Sequence, residues 1–307
     1  MDEKYSNINA AFTISKAAAE KFFADARSFS NKCSQAVEDK EKAHIEKMKK
    51  KKGFQDSKDS KVLERQVALY ASIIHNHSLR GWFPSPYNLN QLIDLFPGLR
   101  IKKGYHLDAY QHLDRSGNGR AKIFVIPFNR ALPKSPPQKA LNDLKWQAIL
   151  AVLKSPDNTP PWKRKLRMTS HFLLGIFLPS YRSIPKWADS KIVKYIEGDG
   201  SPQSYFQASI FLRELYELGA IWHNASWKHH IFVTSPGDIL YANSFHEKLK
   251  LTDWTWHKPE PKEWCPVVWK NKAQRWNVTF HTIDMMQATL NSHTDKFIEG
   301  YGFKTSS

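Results

Sequence analysis

The chain has 307 residues, room for about two domains of ordinary size, and 41% of them are hydrophobic. Eleven Trp, eleven Tyr and eighteen Phe supply large core-forming side chains, which excludes wholesale disorder. Against 29 Asp and Glu stand 46 Lys and Arg, a formal charge of +17 that repels itself in the folded state and points to a polyanionic partner.

Nucleic acid is the first reading of that charge, a basic solvated surface the second, and an anionic membrane surface the third. The longest apolar run, residues 172–178, is about a third of the ~20 residues that a spanning helix needs. No secretory signal is legible at the start, and the two cysteines, Cys33 and Cys265, form no Cys-x-x-Cys pair. A cytoplasmic compartment is expected, or a nuclear one in a eukaryote.

Residues 8–52 read as one or two helices. Alanines favour helix there, and Phe12, Phe22, Phe23, Ala26, Phe29 and Cys33 form an apolar stripe that either dimerises or folds back on the core. The helix ends in lysines 47 and 49–52, which contact phosphates or form a solvated end, and 53–60 reads as a linker. A block over 61–130 offers helices at 62–77, 88–96 and 104–114, a turn at 116–119 and a strand at 122–126. The prolines of 131–137 mark a boundary. Beyond it come helices at 138–154 and 163–178, then a short helix at 190–197 and a turn at 198–200.

Ser201 is a good N-cap, and Pro202 sits at the first helical position, where its missing N–H costs nothing. Leu212, Leu215 and Leu218 give the following helix an apolar face, and Gly219 stops it. Residues 221–222 begin a strand, 224–226 turn, and 230–233 return as a second strand. From about 249 the chain carries Trp254, Trp256, Trp264, Trp269 and Trp276 among scattered prolines. It is expected to wrap the 138–248 unit as extended pieces, with a last helix near 282–291.

The pattern Leu212, Leu215, Gly219 and Ile221, followed by a hairpin, resembles the recognition helix and wing of winged-helix DNA-binding domains. The resemblance implies a mainly α fold with small β-hairpins, with one winged helix over about 163–235 and a second over about 61–128. It also implies a helix in the major groove, with Gln203, Ser204 and Gln207 facing bases and Arg213, Lys228 and His229 meeting phosphates. In the first block Lys102, Lys103, Arg120 and Lys122 would be the phosphate contacts. Two such units in tandem are similar in architecture to plasmid and phage replication initiators, an analogy at the level of fold. Winged helices also dock proteins, and that alternative stays open.

The function expected is therefore sequence-specific binding of double-stranded DNA, as an initiator or transcriptional regulator of a mobile element. A second class is a single-stranded DNA or RNA-binding factor that stacks bases on Trp269 and Trp276, interleaved with Lys270, Lys272 and Arg275. A third is a metal-dependent nuclease using Asp94, Asp108 and Asp114; His75, Asn76 and His77 are adjacent rather than spaced for such a site. No catalytic residue, metal or cofactor is expected, and no membrane partner.

Overall fold

In a computed structural model of the chain, the residues described are 11–51, 82–112, 121–132, 185, 187–220, 226–249, 261–286 and 289–306. Among them about 37% are helical and 34% lie in strands, with a large antiparallel sheet, so the expected mainly α class is corrected. The helices expected at 62–77, 138–154 and 163–178, the turn at 116–119 and the strand at 221–222 lie outside the described residues.

The chain starts with a short strand β1 (Ala11–Thr13) and a long helix α1 (Lys16–Lys51). At 1.5 Å per residue α1 is about 54 Å long. Ala19, Phe22, Phe23, Ala26, Ser30, Cys33 and Val37 are buried at helical spacing, so the stripe folds back on the core. Phe22 meets Phe96, and Phe23 meets Trp227 and Phe232, which leaves this stripe covered by the chain itself.

Next come β2 (Trp82–Pro84), a single turn α2 (Asn90–Ile93), β3 (Leu99–Ile101), β4 (Tyr105–His112) and β5 (Ala121–Pro127). Strand β5 matches the expectation at 122–126. Strand β4 replaces the helix expected over 104–114. Its residues alternate: Leu107 and Ala109 join the main core, while Tyr110 on the opposite face packs with Phe124, Ile126 and Leu132. The segment expected as a helix at 190–197 is a 3-10 turn (Ile192–Tyr195) followed by β6 (Ile196–Gly198), which pairs with β3.

Helix α3 (Pro202–Tyr216) starts as its cap residues dictate: Ser201 Oγ accepts from Ser204 N–H at 3.2 Å, with Pro202 at the first position. It ends near Gly219 (φ +72°), where a Cβ would stand 2.6 Å from Gln111 Oε1 and 2.7 Å from Tyr87 Oη. A second 3-10 turn (Ser226–His229) leads into β7 (His230–Val233), then α4 (Pro236–Leu249), β8 (Val267–Lys270), β9 (Trp276–Asp284), β10 (Thr289–Glu299) and β11 (Gly302–Ser306).

The principal sheet is built on β9. Strand β10 lines one edge of it, while β8 and β7 share the other, β8 along residues 276–279 and β7 along 281–284. Strand β11 extends the sheet beyond β10, and β1 extends it beyond β8. Among the described residues the paired partner of β7 is thus β9, some fifty residues later. The helix expected at 282–291 is the end of β9 and the start of β10, with Met285 and Met286 in the turn after β9.

Both faces of this sheet are covered. Ile283, Leu290 and Val233 meet Ile239 and Ala242 of α4. On the opposite face Phe280 and Phe232 meet Phe206 of α3, with α1 behind. Two ion pairs fix α3 between these layers. Arg213 Nη1 and Nη2 donate to the Asp295 carboxylate at 2.5 and 2.7 Å, and Arg27 Nε donates to Glu214 Oε1 at 3.0 Å.

Removing one member of a buried pair strands the other, at a cost of about 3–5 kcal/mol. Urea unfolding is expected to show that loss for Asp295→Leu and for Arg213→Met alone. The double variant Arg213→Met/Asp295→Leu is expected to lose less than either single one. Additive losses would overturn the coupling.

Candidate nucleic-acid interface

The residues expected to read bases lie mainly inside the fold. Ser204 is 0% exposed and Gln207 1%. Gly98 N–H donates to Gln207 Oε1 at 2.8 Å, and the Ser204 hydroxyl lies 2.9 Å from that of Tyr301. Gln203 is exposed on the first turn of α3, without its expected companions. Arg213 is held by Asp295, so it cannot meet a phosphate. Lys228 Nζ donates to Ala220 O at 2.9 Å and to the Ser34 hydroxyl, and burial lowers its pKa. His229 is half-buried, and its carbonyl accepts from Met285 N–H. The expected recognition helix is therefore corrected, since α3 is a core helix; the first strand of the expected wing lies outside the described residues, and residues 226–229 form a 3-10 turn sealed by Arg27, which donates to the carbonyls of Trp227 and Lys228.

In the first block the outcome differs. Lys122 is half-buried in β5, where desolvation lowers its pKa, and Arg120 lies outside the described residues. Lys102 and Lys103 are exposed side by side in the turn between β3 and β4.

That turn is part of a rigid corner. Gly104 (φ +89°) lets the chain reverse tightly, and its carbonyl accepts from Phe128 N–H at 3.0 Å. Lys102 N–H donates to Tyr195 O at 2.8 Å, which ties in the 3-10 turn carrying Lys191 and Lys194. Arg100, Arg130, Lys191 and Lys194 are exposed around the same corner.

At its centre stands Phe128, 69% exposed, stacked on His106 with ring centroids 5.4 Å apart and planes 11° from parallel. Tyr105 packs against Tyr195 at 4.9 Å beside it. Beside these rings opens a cleft of about 570 Å³ lined by Ile93, Asp94, Leu99, Arg100 and Ile101 together with Tyr105, His106 and Phe128. Asn90, also in its wall, is occupied with the Leu107 peptide through Oδ1 (2.9 Å) and Nδ2 (3.1 Å). His106 Nδ1 is buried and has no hydrogen-bond partner among the described residues. The sequence signal for this site is Phe128-Asn129-Arg130, an aromatic and a cation directly after an apolar strand. Its position on the approach to the proline-rich boundary disguises it as a linker.

The tryptophans of the last segment that are described, 264, 269 and 276, are built into the fold. Trp276 packs between Tyr205 and Phe12 with Lys270 Nζ 4.6 Å from its ring centre, and Trp269 Nε1 donates to Thr279 Oγ1 at 3.3 Å. Lys272 and Arg275 are exposed at the β8–β9 hairpin tip.

A third cluster resembles acid–base machinery. His230 Nδ1 lies 2.7 Å from Thr282 Oγ1, which lies 2.7 Å from His293 Nε2, and Asp284 Oδ2 is 3.8 Å from His230 Nε2. Thr282 is fully buried, and the imidazoles are covered by Trp227 and Phe280, so no substrate reaches the chain of bonds. Burial lowers His230 to about 4 despite Asp284, with Arg27 and Arg213 acting in the same direction. The arrangement therefore joins strands β7, β9 and β10 through a neutral imidazole.

Of the three aspartates considered for a metal, Asp108 accepts from Ala109 N–H and Leu132 N–H, Asp94 lies in the cleft wall, and Asp114 is outside the described residues. Among the described residues no three His, Cys, Asp or Glu side chains are grouped to hold a metal ion. No helix among them is long and apolar enough to cross a membrane. Compared with protein families, with characterised proteins and with solved structures, the chain matches none.

The lowered pKa of His230 fixes a pH dependence. Below about 6.5 the unfolded chain takes up a proton that the folded chain refuses until about 4. Stability contributed by the neutral imidazole is therefore full above 6.5 and is lost as pH falls through that window. Thermal melts between pH 7 and pH 4 are expected to show a falling Tm, with a shallower fall in His230→Phe; an unchanged slope would rule out this assignment.

Proposed function

We propose that the protein binds single-stranded nucleic acid at the corner formed by the β3–β4 turn, the end of β5 and the first 3-10 turn. The observation that carries this reading is the exposed Phe128 ring, backed by His106 and surrounded by Arg100, Lys102, Lys103, Arg130, Lys191 and Lys194. An exposed phenyl ring costs free energy in water, and a base laid on it removes apolar area on both partners. A duplex keeps its base faces stacked, so only an unpaired base can use the ring. The cations then track the phosphates on either side of that base, and the surplus of +17 raises the rate of encounter.

The roles divide by chemistry. Lys102 and Lys103 are point charges on a turn held by backbone hydrogen bonds, suited to phosphate oxygens and indifferent to sequence. Phe128 supplies stacking, which every base can accept. Arg100 pairs with Glu197 at 3.0 Å, but both are solvent-exposed, so this pair is weak and leaves the guanidinium available.

Fluorescence anisotropy with labelled single strands tests the reading. Phe128→Ala is expected to weaken binding by about 1–3 kcal/mol, the usual contribution of one stacked base. Lys102→Ala/Lys103→Ala is expected to flatten the plot of log K against log salt by about 1.4, or roughly 0.7 for each phosphate no longer neutralised. A duplex of the same sequence is expected to bind more weakly. Equal affinity for duplex and single strand, untouched by Phe128→Ala, would overturn the proposal.

A further inference from the structure

A second phenyl ring stands in water beside cations, at the other end of the fold's aromatic packing. Phe12 of β1 is 44% exposed and is backed by Trp276, with ring centroids 6.1 Å apart, much as Phe128 is backed by His106. Trp276 is itself fixed, by the Tyr205 ring at 5.2 Å and by Lys270 Nζ at 4.6 Å from its centre. Register places the cations. Phe12 pairs with Val268 of β8, and Lys270, two residues on, shares that face and pairs with Trp276 of β9. The hairpin tip follows at once and exposes Lys272 and Arg275. Asn271 makes the tip rigid: its Oδ1 accepts from Ala273 N–H at 2.9 Å and Arg275 N–H at 3.1 Å, and its carbonyl accepts from Gln274 N–H at 2.9 Å. Gln274 is held there at φ +56°, a conformation that side chains other than glycine rarely adopt.

A run of packed residues joins this hairpin to the corner. Tyr105, which lines the cleft beside Phe128, packs on Tyr195 of the first 3-10 turn. The same turn sets Val193 against β11, so closely that a Cβ on Gly302 would stand 2.5 Å from Val193 Cγ1. Lys194 and Lys304 are exposed within two residues of that contact. Next to Gly302, Tyr301 stacks on Tyr205 with centroids 4.8 Å apart, and Tyr205 leads to Trp276 and Phe12.

We infer that Phe12 and the β8–β9 hairpin tip form a second contact for the same nucleic-acid strand. The inference rests on the strand-binding reading and extends it from one stacked base to a path with two platforms. A second unpaired base lies on the Phe12 ring, and Lys272 and Arg275 neutralise the phosphates beside it. A strand that reaches both platforms binds the second one intramolecularly. Its affinity then exceeds that for either platform alone by about 100- to 10,000-fold.

The test uses the full-length protein and labelled thymine strands of about 4 and about 16 nucleotides. The short strand is expected to bind at about two per chain, and the long one at about one per chain, roughly a hundredfold more tightly. Phe12→Ala is expected to weaken the long strand about tenfold and to lower the short-strand stoichiometry to about one. Lys272→Ala/Arg275→Ala is expected to flatten the plot of log K against log salt for the long strand by about 1.4. Melting curves confirm that these exposed-site variants fold. Long-strand binding that both variants leave unchanged overturns the second platform and leaves the corner standing. A short strand that saturates at one per chain in the unaltered protein overturns it as well. Binding that needs Phe12 but survives Phe128→Ala intact upholds the hairpin platform and removes the corner reading. Absence of binding by either strand overturns both.

Discussion

The structure depends on burying α3 between α1 and the principal sheet, and two consecutive charges set how that helix sits. Arg213 and Glu214 are about 100° apart around the helix axis, so they point into different layers. Arg213 reaches the sheet, where it joins Asp295 of β10 and Thr305 of β11 and lies over the rings of Phe280 and Phe303. Glu214 faces the other way and accepts from Arg27 of α1 and from the Trp227 indole N–H. Apolar burial provides most of the stabilisation but tolerates rotation of a helix about its axis. Buried charges do not, because a turned helix leaves each one desolvated and alone. The pairs act as a register between the three layers, and Arg27 extends it by holding the 3-10 turn that starts β7.

The sequence of α3 carries this role in a form that invites the wrong conclusion. The cap at Ser201 and Pro202 and the stop near Gly219 are local signals, and the helix begins and ends where they place it. Leu212, Leu215 and Leu218 taken alone suggest one apolar face of a half-exposed helix. Ala208 and Phe211 share that face, but Phe206 and Ile210 point to the opposite side of the helix and are equally buried, and a helix with apolar residues on opposite sides belongs inside a protein. Strands β9 and β10 are hidden for a related reason. Both faces of β9 are covered, so its sequence shows no alternation of apolar with polar residues, and its buried positions include Asn277, Thr279, His281 and Thr282. These polar groups are admissible in a core because neighbouring strands supply partners, as with Thr282 between His230 and His293. Pairing across fifty residues leaves no trace in a local window.

Charge alone is equally ambiguous at the site. Arg213, Lys228, Lys102 and Lys103 are all cations near expected turns or helices, and by sequence all four suit phosphates. Burial separates them. Arg213 and Lys228 are engaged by Asp295, Ser34 and Ala220, whereas Lys102 and Lys103 project from a tight turn into solvent. A net charge of +17 therefore overstates the surface open to a partner by the cations the core has taken, Arg27 among them. What makes the corner distinctive is the coincidence of exposed cations with Phe128, a residue that in isolation is only an apolar side chain at a strand end.

That coincidence gains force from where it is built. Phe128 follows directly on β5, its N–H is fixed to Gly104, and its ring rests on His106 of the adjacent strand. The cationic turn is held by the same backbone bonds, which also reach the 3-10 turn through Tyr195. Little conformational freedom remains for a ligand to remove, so stacking and phosphate contact add to affinity instead of being consumed in ordering a loop. The core reaches the site by the same route. Leu107 and Val125 anchor β4 and β5 in the main cluster with Phe211 and Leu212 of α3. The charges that register α3 between the layers therefore also fix the platform on which Phe128 and the lysine turn stand.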